Sequence, residues 1–351
     1  PMSRWLSLLL VGIPAAWLVR SRGGSDALVF AASALALVPL ALWIKVGTEH
    51  LASRLGSALG GLLNATFGNA AELIITLFAL KEGLPELVKA SIVGSILSNT
   101  LFGLGASAVV GGLRHGTQRF ALEPVRRAAT MMILAVSALA LPAAFAQAEK
   151  NAFLQEEVSV GIAILMLATY AAFIVYSHFG RGAREHREPA VAHEQGGKAW
   201  GLGRSFAVLA GAVVATAAAS ELLVGAVEPV SKSVGLSPFF VGIVVIPLVG
   251  NVAEYYSAVE FARSNRIELS FAIGASSSIQ VAVFVAPCLV LASLFIHPMS
   301  LIFRPIELVA LVASSAVFAY ASLDGETDWL EGAQLLALYL ICAVTFFFVP
   351  S

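Results

Sequence analysis

Charge is what this sequence has least of. Asp, Glu, Lys and Arg together make up 12% of its 351 residues and leave a net charge of −1. An ordinary soluble domain carries about 25% charge, so a chain solvated over its whole surface is excluded. The few basic residues sit in short joints, which leaves no electrostatic footprint for nucleic acid. Cysteine is almost absent too. Cys288 and Cys342 stand in apolar surroundings and make neither a metal motif nor a disulfide framework. What the chain has instead is hydrocarbon. Hydrophobic residues reach 58%, the mean hydropathy is +0.87, and apolar runs of about 20 residues, the length of a membrane-spanning helix, recur from end to end. In lipid the backbone must satisfy its own hydrogen bonds, so these runs read as helices. The short alternating strands of a transmembrane barrel are missing.

Eleven spans are predicted, near 5–19, 26–46, 56–80, 86–110, 128–147, 156–177, 205–228, 238–262, 267–295, 301–321 and 330–350. The expected fold is an all-α polytopic membrane protein of about 11 transmembrane helices. The first run lacks a small-residue cleavage site and is followed at once by others, so it reads as a helix and not as a signal peptide. Residues 179–204 form the one long polar joint, a solvated linker; His178, His186 and His193 in and beside it are too loosely spaced for a metal tract. Of the 21 Lys and Arg residues, two in three fall on the side that holds the N-terminus, the linker and joint cations such as Lys45, Arg54, Arg126 and Arg127. That bias predicts a cytoplasmic N-terminus.

Two polar motifs interrupt the apolar pattern. "GNAAELIITLFAL" at 68–80 and "PLVGNVAE" at 247–254 superpose Gly68-Asn69 on Gly250-Asn251 and Glu72 on Glu254. Each is followed by a small-residue helix, "GSILSN" with Ser95, Ser98 and Asn99, then "GASSSIQ" with Ser276, Ser277, Ser278 and Gln280. A one-residue gap aligns Asn99 with Gln280. Upstream, Thr48-Glu49 is echoed by Ser220-Glu221. By span count the first motif helix starts inside and the second outside, so the repeats are inverted, the arrangement of secondary transporters with broken helices near the midplane. The chain divides into an extra N-terminal helix (1–22), a five-helix repeat (23–178), the cytoplasmic linker (179–204) and a second five-helix repeat (205–351).

An ionisable group inside the bilayer costs at least about 2.5 kcal/mol, and two facing carboxylates need a cation or protons to neutralise them. Calcium takes about six to eight oxygen ligands. Glu72, Glu254, Asn69, Asn251, Asn99, Gln280, Ser95 and Ser277 supply oxygen donors and no soft ligand. Glu72 and Glu254 are therefore the candidate proton carriers as well, and Glu49 and Glu221 are candidate gating residues at the membrane edge. The residues have plainer readings: the glutamates as an interhelical bond, the amides as helix-packing groups, the serines as caps or close-packing residues. Oxygen ligands alone leave Mn²⁺ and Na⁺ open.

Together with "VKASIVGSILSN" at 88–99 and "IGASSSIQVAVFVAP" at 273–287, these motifs make the chain resemble the calcium/proton exchangers, the cation exchanger (CAX) family of the calcium:cation antiporter superfamily. The resemblance covers both five-helix halves. It implies a secondary active antiporter in a prokaryotic cell (inner) membrane that exports cytosolic Ca²⁺ in exchange for H⁺. No cofactor and no enzyme activity are implied. The partners are calcium, protons and the lipid bilayer, and members of the family can form trimers. The resemblance places the key glutamates at Glu72 and Glu254. The family often has His after the second glutamate, where this chain has Tyr255, and an acidic stretch between the halves, where Glu185, Glu188 and Glu194 are here mixed with Arg and His.

Three rival functions differ in class. An intramembrane hydrolase would need a His opposite a Ser in a core helix, whereas His50, His115, His178, His186, His193 and His297 fall in or beside joints. A channel would need a continuous conduit, and two inverted copies with central carboxylates fit alternating access better. A related exchanger with another ion pair, Na⁺/Ca²⁺, Mn²⁺/H⁺ or monovalent cation/H⁺, is separated from Ca²⁺/H⁺ exchange by flux under imposed gradients.

Overall fold

The computed structural model describes residues 7–179 and 200–349. Most of the 179–204 linker therefore lies outside the described residues. The described chain is helical: α1 Leu9–Ser21, α2 Asp26–Phe67, α3 Ala70–Lys81, α4 Pro85–His115, α5 Leu122–Ala148, α6 Ala152–Phe179, α7 Leu202–Val234, α8 Pro238–Gly250, α9 Val252–Arg263, α10 Ile267–Ser293, α11 Pro305–Ala321 and α12 Trp329–Phe347. Among the described residues, seven helices are long and apolar enough to cross a membrane, or eight if α8 and α9, bent by 56°, are taken as one. The protein is thus an all-α polytopic membrane protein. Its only strands among these residues are two-residue pieces, β1 Gln118–Arg119 paired antiparallel with β2 Glu326–Thr327.

The sequence pattern separates 26–46 from 56–80, yet α2 carries helical backbone across the gap. A straight helix of its 42 residues would be about 63 Å long, twice the apolar thickness of a bilayer. The helix is not straight. A Cβ built on Gly60 would lie 2.7 Å from the Ala52 carbonyl oxygen, whereas residues eight apart in a straight helix are about 12 Å apart along the axis. The ribbon doubles back, and its membrane-crossing part is Asp26–Leu55. This corrects the place of Lys45. It is not a joint residue but lies inside the span, half-buried, with Nζ donating to Ser257 Oγ at 2.7 Å.

The most extensive helix pair is α2 with α7. Gly47 permits their approach, since a Cβ there would stand 3.1 Å from Leu209 Cβ. The α4 and α10 helices run through the centre of the main apolar core, with Ile92, Val93, Ile96, Leu97, Phe271 and Ala275 all buried. Both contain a wider π segment, Ser98–Gly103 and Val281–Val285. The first starts one residue before Asn99 and the second one residue after Gln280.

Contacts between joints sort into two sets. In one, β1 meets β2 with Arg119 paired to Glu326 at 2.9 Å. His115 Nε2 lies 2.8 Å from the Arg263 carbonyl, and Arg54 donates to the Trp200 carbonyl at 3.2 Å. In the other set, Lys89 pairs with Glu86 and donates to the Ile302 carbonyl at 3.0 Å. Leu301 N donates to Ser159 Oγ at 3.0 Å, and a Cβ on Gly83 would lie 3.4 Å from the His297 ring.

Candidate ion-binding site

The site is built on two matched helix breaks. Asn69 has φ −105°, ψ 24° and Asn251 has φ −96°, ψ 14°. Each follows a glycine and is the N-cap of a fresh helix, α3 or α9, whose third residue is the glutamate. The sparsely populated backbone region stops one helix and starts another inside the core. Each new N-terminus carries unpaired N–H groups and a partial positive charge, which favours a carboxylate in the first turn. On the second copy Pro247 lacks an N–H and Asn251 caps the break by donating from Nδ2 to the Pro247 carbonyl at 3.0 Å.

The amides then cross between the copies. Asn69 Nδ2 donates to Gln280 Oε1 at 2.6 Å, and Asn69 Oδ1 accepts from Ser277 Oγ at 3.2 Å. In the matching positions Asn251 Oδ1 accepts from Asn99 Nδ2 at 3.1 Å, and Asn251 Nδ2 donates to Ser95 Oγ at 3.3 Å. Asn99 Nδ2 also reaches Ser277 Oγ at 2.9 Å, tying the two halves of the network together. Residues aligned by the repeat thus bond to corresponding partners in the opposite copy, with donor and acceptor exchanged.

Two oxygens stay bare in this network. Glu72 Oε1 and Asn99 Oδ1 are buried and accept no hydrogen bond among the described residues. A buried polar atom without a partner is costly, and bare oxygen acceptors in a buried polar centre suit a cation. Glu72 is 3% exposed, and it fits because Gly250 has no side chain: a Cβ there would lie 3.3 Å from Glu72 Cγ. Glu254 is half-buried and within electrostatic range of Glu72. Ala41 and Leu42 of α2 pack with Ala71 and Ala253, the residues just before the two glutamates, so α2 covers both breaks.

The structure thus brings Glu72, Asn69, Asn251, Asn99, Gln280, Ser95 and Ser277 together, with Glu254 at the same centre. Glu49 lies within electrostatic range of Glu254. Glu221 does not join them: it is exposed and lines a shallow groove with Ile13, Trp17 and Arg20. Tyr255 is buried. Its hydroxyl donates to the Pro247 carbonyl at 3.3 Å, and its ring meets Phe102 edge-on with centroids 5.2 Å apart. Sequence reasoning missed Lys45 and Ser257 beside Glu254. The available signal was a lone Lys at the end of "LVPLALWIK", an expensive residue within an apolar run.

Broken helices that meet with their N-termini and carboxylates at one buried polar centre define a secondary transporter for a small cation. The sodium/calcium exchanger protein family matches residues 25–179 and 204–348, and the chain belongs to that family, among its calcium/proton exchangers. It is 38% identical to a Ca(2+)/H(+) antiporter of Aphanothece halophytica over 97% of this chain and 96% of that one. It is equally 38% identical to the Ca(2+)/H(+) antiporter ChaA of Bacillus subtilis, over 97% of each chain. The crystal structure of the selenium-substituted Ca2+/H+ antiporter protein YfkE superposes with a TM-score of 0.86 at 36% identity, covering 99% of this chain and all of that one.

Proposed function

We propose that the protein is a secondary active antiporter that exchanges Ca²⁺ for H⁺ and removes calcium from the cytosol, with Glu72 and Glu254 as the shared site. The observation that carries the site is the bare Glu72 Oε1 and Asn99 Oδ1 inside an otherwise paired, cross-copy amide network. Calcium would take both carboxylates, with Asn69, Asn251, Asn99, Gln280, Ser95 and Ser277 as the neutral oxygen donors. When calcium leaves, protons on Glu72 and Glu254 replace its charge.

The finer topology follows the same reading: eleven spans, an extra first helix (1–22), two inverted five-helix repeats (23–178 and 205–351) and a cytoplasmic linker (179–204). The two sets of joint contacts support it. Joints after even-numbered spans touch one another, as do joints after odd-numbered spans, as alternate crossings require. The excess of Lys and Arg on the even side supports a cytoplasmic N-terminus, in a prokaryotic inner membrane. Assembly as a trimer rests on the resemblance alone, and the mass of the detergent-solubilised particle tests it. The ion pair is tested in proteoliposomes. Calcium movement driven by a pH gradient without sodium is expected, and a strict sodium requirement, or exchange of manganese or a monovalent ion in place of calcium, overturns the reading.

A further inference from the structure

Lys45 is a cation built into one arm of the site only. Its Nζ donates to Ser257 Oγ at 2.7 Å and reaches toward the Ala253 carbonyl at 3.5 Å, one residue before Glu254. Ser257 in turn donates to that carbonyl at 2.8 Å, so a short polar chain links Lys45 to the first turn of α9. Lys45 acts electrostatically on Glu254, and the other charged groups acting there are Glu49 and Glu72. The repeat that matches Thr48-Glu49 with Ser220-Glu221 puts Ala217 where Lys45 stands in the first copy. The charged group acting on Glu72 is Glu254. The two carboxylates are therefore equivalent by sequence but not by surroundings.

We infer that Lys45 is an affinity-setting residue of the transport reaction, a tethered cation on α2 that competes with calcium for Glu254. The inference rests on the proposed Glu72–Glu254 site. Two uncompensated carboxylates bind a divalent ion tightly and release it slowly, whereas an exchanger must let its cargo go. A fixed positive charge on the Glu254 arm repels a divalent ion twice as strongly as a proton on the same carboxylate. It holds calcium affinity down without blocking the site. Because Lys45 belongs to α2, the helix that covers both breaks, any movement of α2 relative to α9 changes the strength of this competition.

A plainer role is that Lys45 only ties α2 to α9 by hydrogen bonds, and three substitutions separate the two. Lys45→Gln keeps a donor for Ser257 and removes the charge, Lys45→Arg keeps the charge, and Ser257→Ala removes the tie while leaving the charge. The readout is the calcium concentration for half-maximal flux driven by a pH gradient in proteoliposomes at one fixed pH, with calcium binding to the solubilised protein measured alongside. Lys45→Gln is expected to lower both values about tenfold, with Lys45→Arg and Ser257→Ala within about twofold of the wild type. A Lys45→Gln protein with wild-type values overturns the inference, and so does a Ser257→Ala protein that matches Lys45→Gln. Glu254→Gln is run in parallel: native flux in that variant overturns the site itself, whereas an inert Glu254→Gln with an unshifted Lys45→Gln overturns the role of Lys45 alone.

Discussion

Asn69, Asn99, Asn251 and Gln280 add oxygen to the site without adding charge. Removing one should weaken calcium binding and spare proton binding. Alanine at any of the four is expected to raise the calcium concentration for half-maximal flux several-fold, and an unchanged calcium dependence in all four would move them to a packing role. Asn99 and Asn251 are bonded directly, so the double variant should depart from additivity, by about 0.5–3 kcal/mol in binding free energy. These residues, though not which amide bonds which, were legible in the sequence because a buried polar group inside an apolar run is costly unless it is used. The one-residue gap that aligns Asn99 with Gln280 put both on the positions that cross-bond. Lys45 was legible as a lone cation at the end of an apolar run, but not as a neighbour of Glu254. The apolar run fades after Ile44, and only the fold shows that the helix continues to Leu55 and carries Lys45 onto Ser257.

Close backbone approach governs the elements. The α4 and α8 helices touch at Gly94, where a Cβ would lie 2.0 Å from the Ile243 carbonyl oxygen. Backbone cannot yield as a side-chain tip does, so Gly94→Ala should lower the unfolding temperature in detergent and abolish transport, at a cost of about 1–3 kcal/mol or more. Gly211 on α7 has nothing within 4 Å of its Cβ position. Gly211→Ala should be neutral or stabilising, by up to about 1 kcal/mol, and equal losses in both variants would contradict the packing. The bend between α8 and α9 was readable from Pro247 and Gly250. The π segments were not, because a single-turn widening leaves no mark in apolar periodicity. If α2 and α7 are the moving gates, cysteine labelling in calcium and in calcium-free acid, with Cys288 and Cys342 replaced, should change most along 26–46 and 205–228 and little along α1. Uniform accessibility in both conditions, or change confined to α1, would contradict gating by α2 and α7.

For the molecule as a whole, charge balance sets the exchange. One Ca²⁺ on two carboxylates and two protons on the same pair leave the same net charge, and Lys45 adds equally to both loaded states. The empty pair keeps its negative charges and resists passage through the low-dielectric centre. The minimum cycle is two protons per calcium and electroneutral, and a reversal potential that shifts with membrane voltage would show that another group carries charge. The broad architecture was legible because apolar length and lone charges are written locally, while the doubling back of α2 depends on contacts between distant residues. The central claim is that one carboxylate pair serves both ions. Its most direct test is radioactive calcium uptake into proteoliposomes under an imposed pH gradient without sodium, comparing wild type with Glu72→Gln and Glu254→Gln. The account predicts accumulation by the wild type and almost none by either variant, although both insert in normal yield. Near-native uptake by either glutamine variant would contradict it.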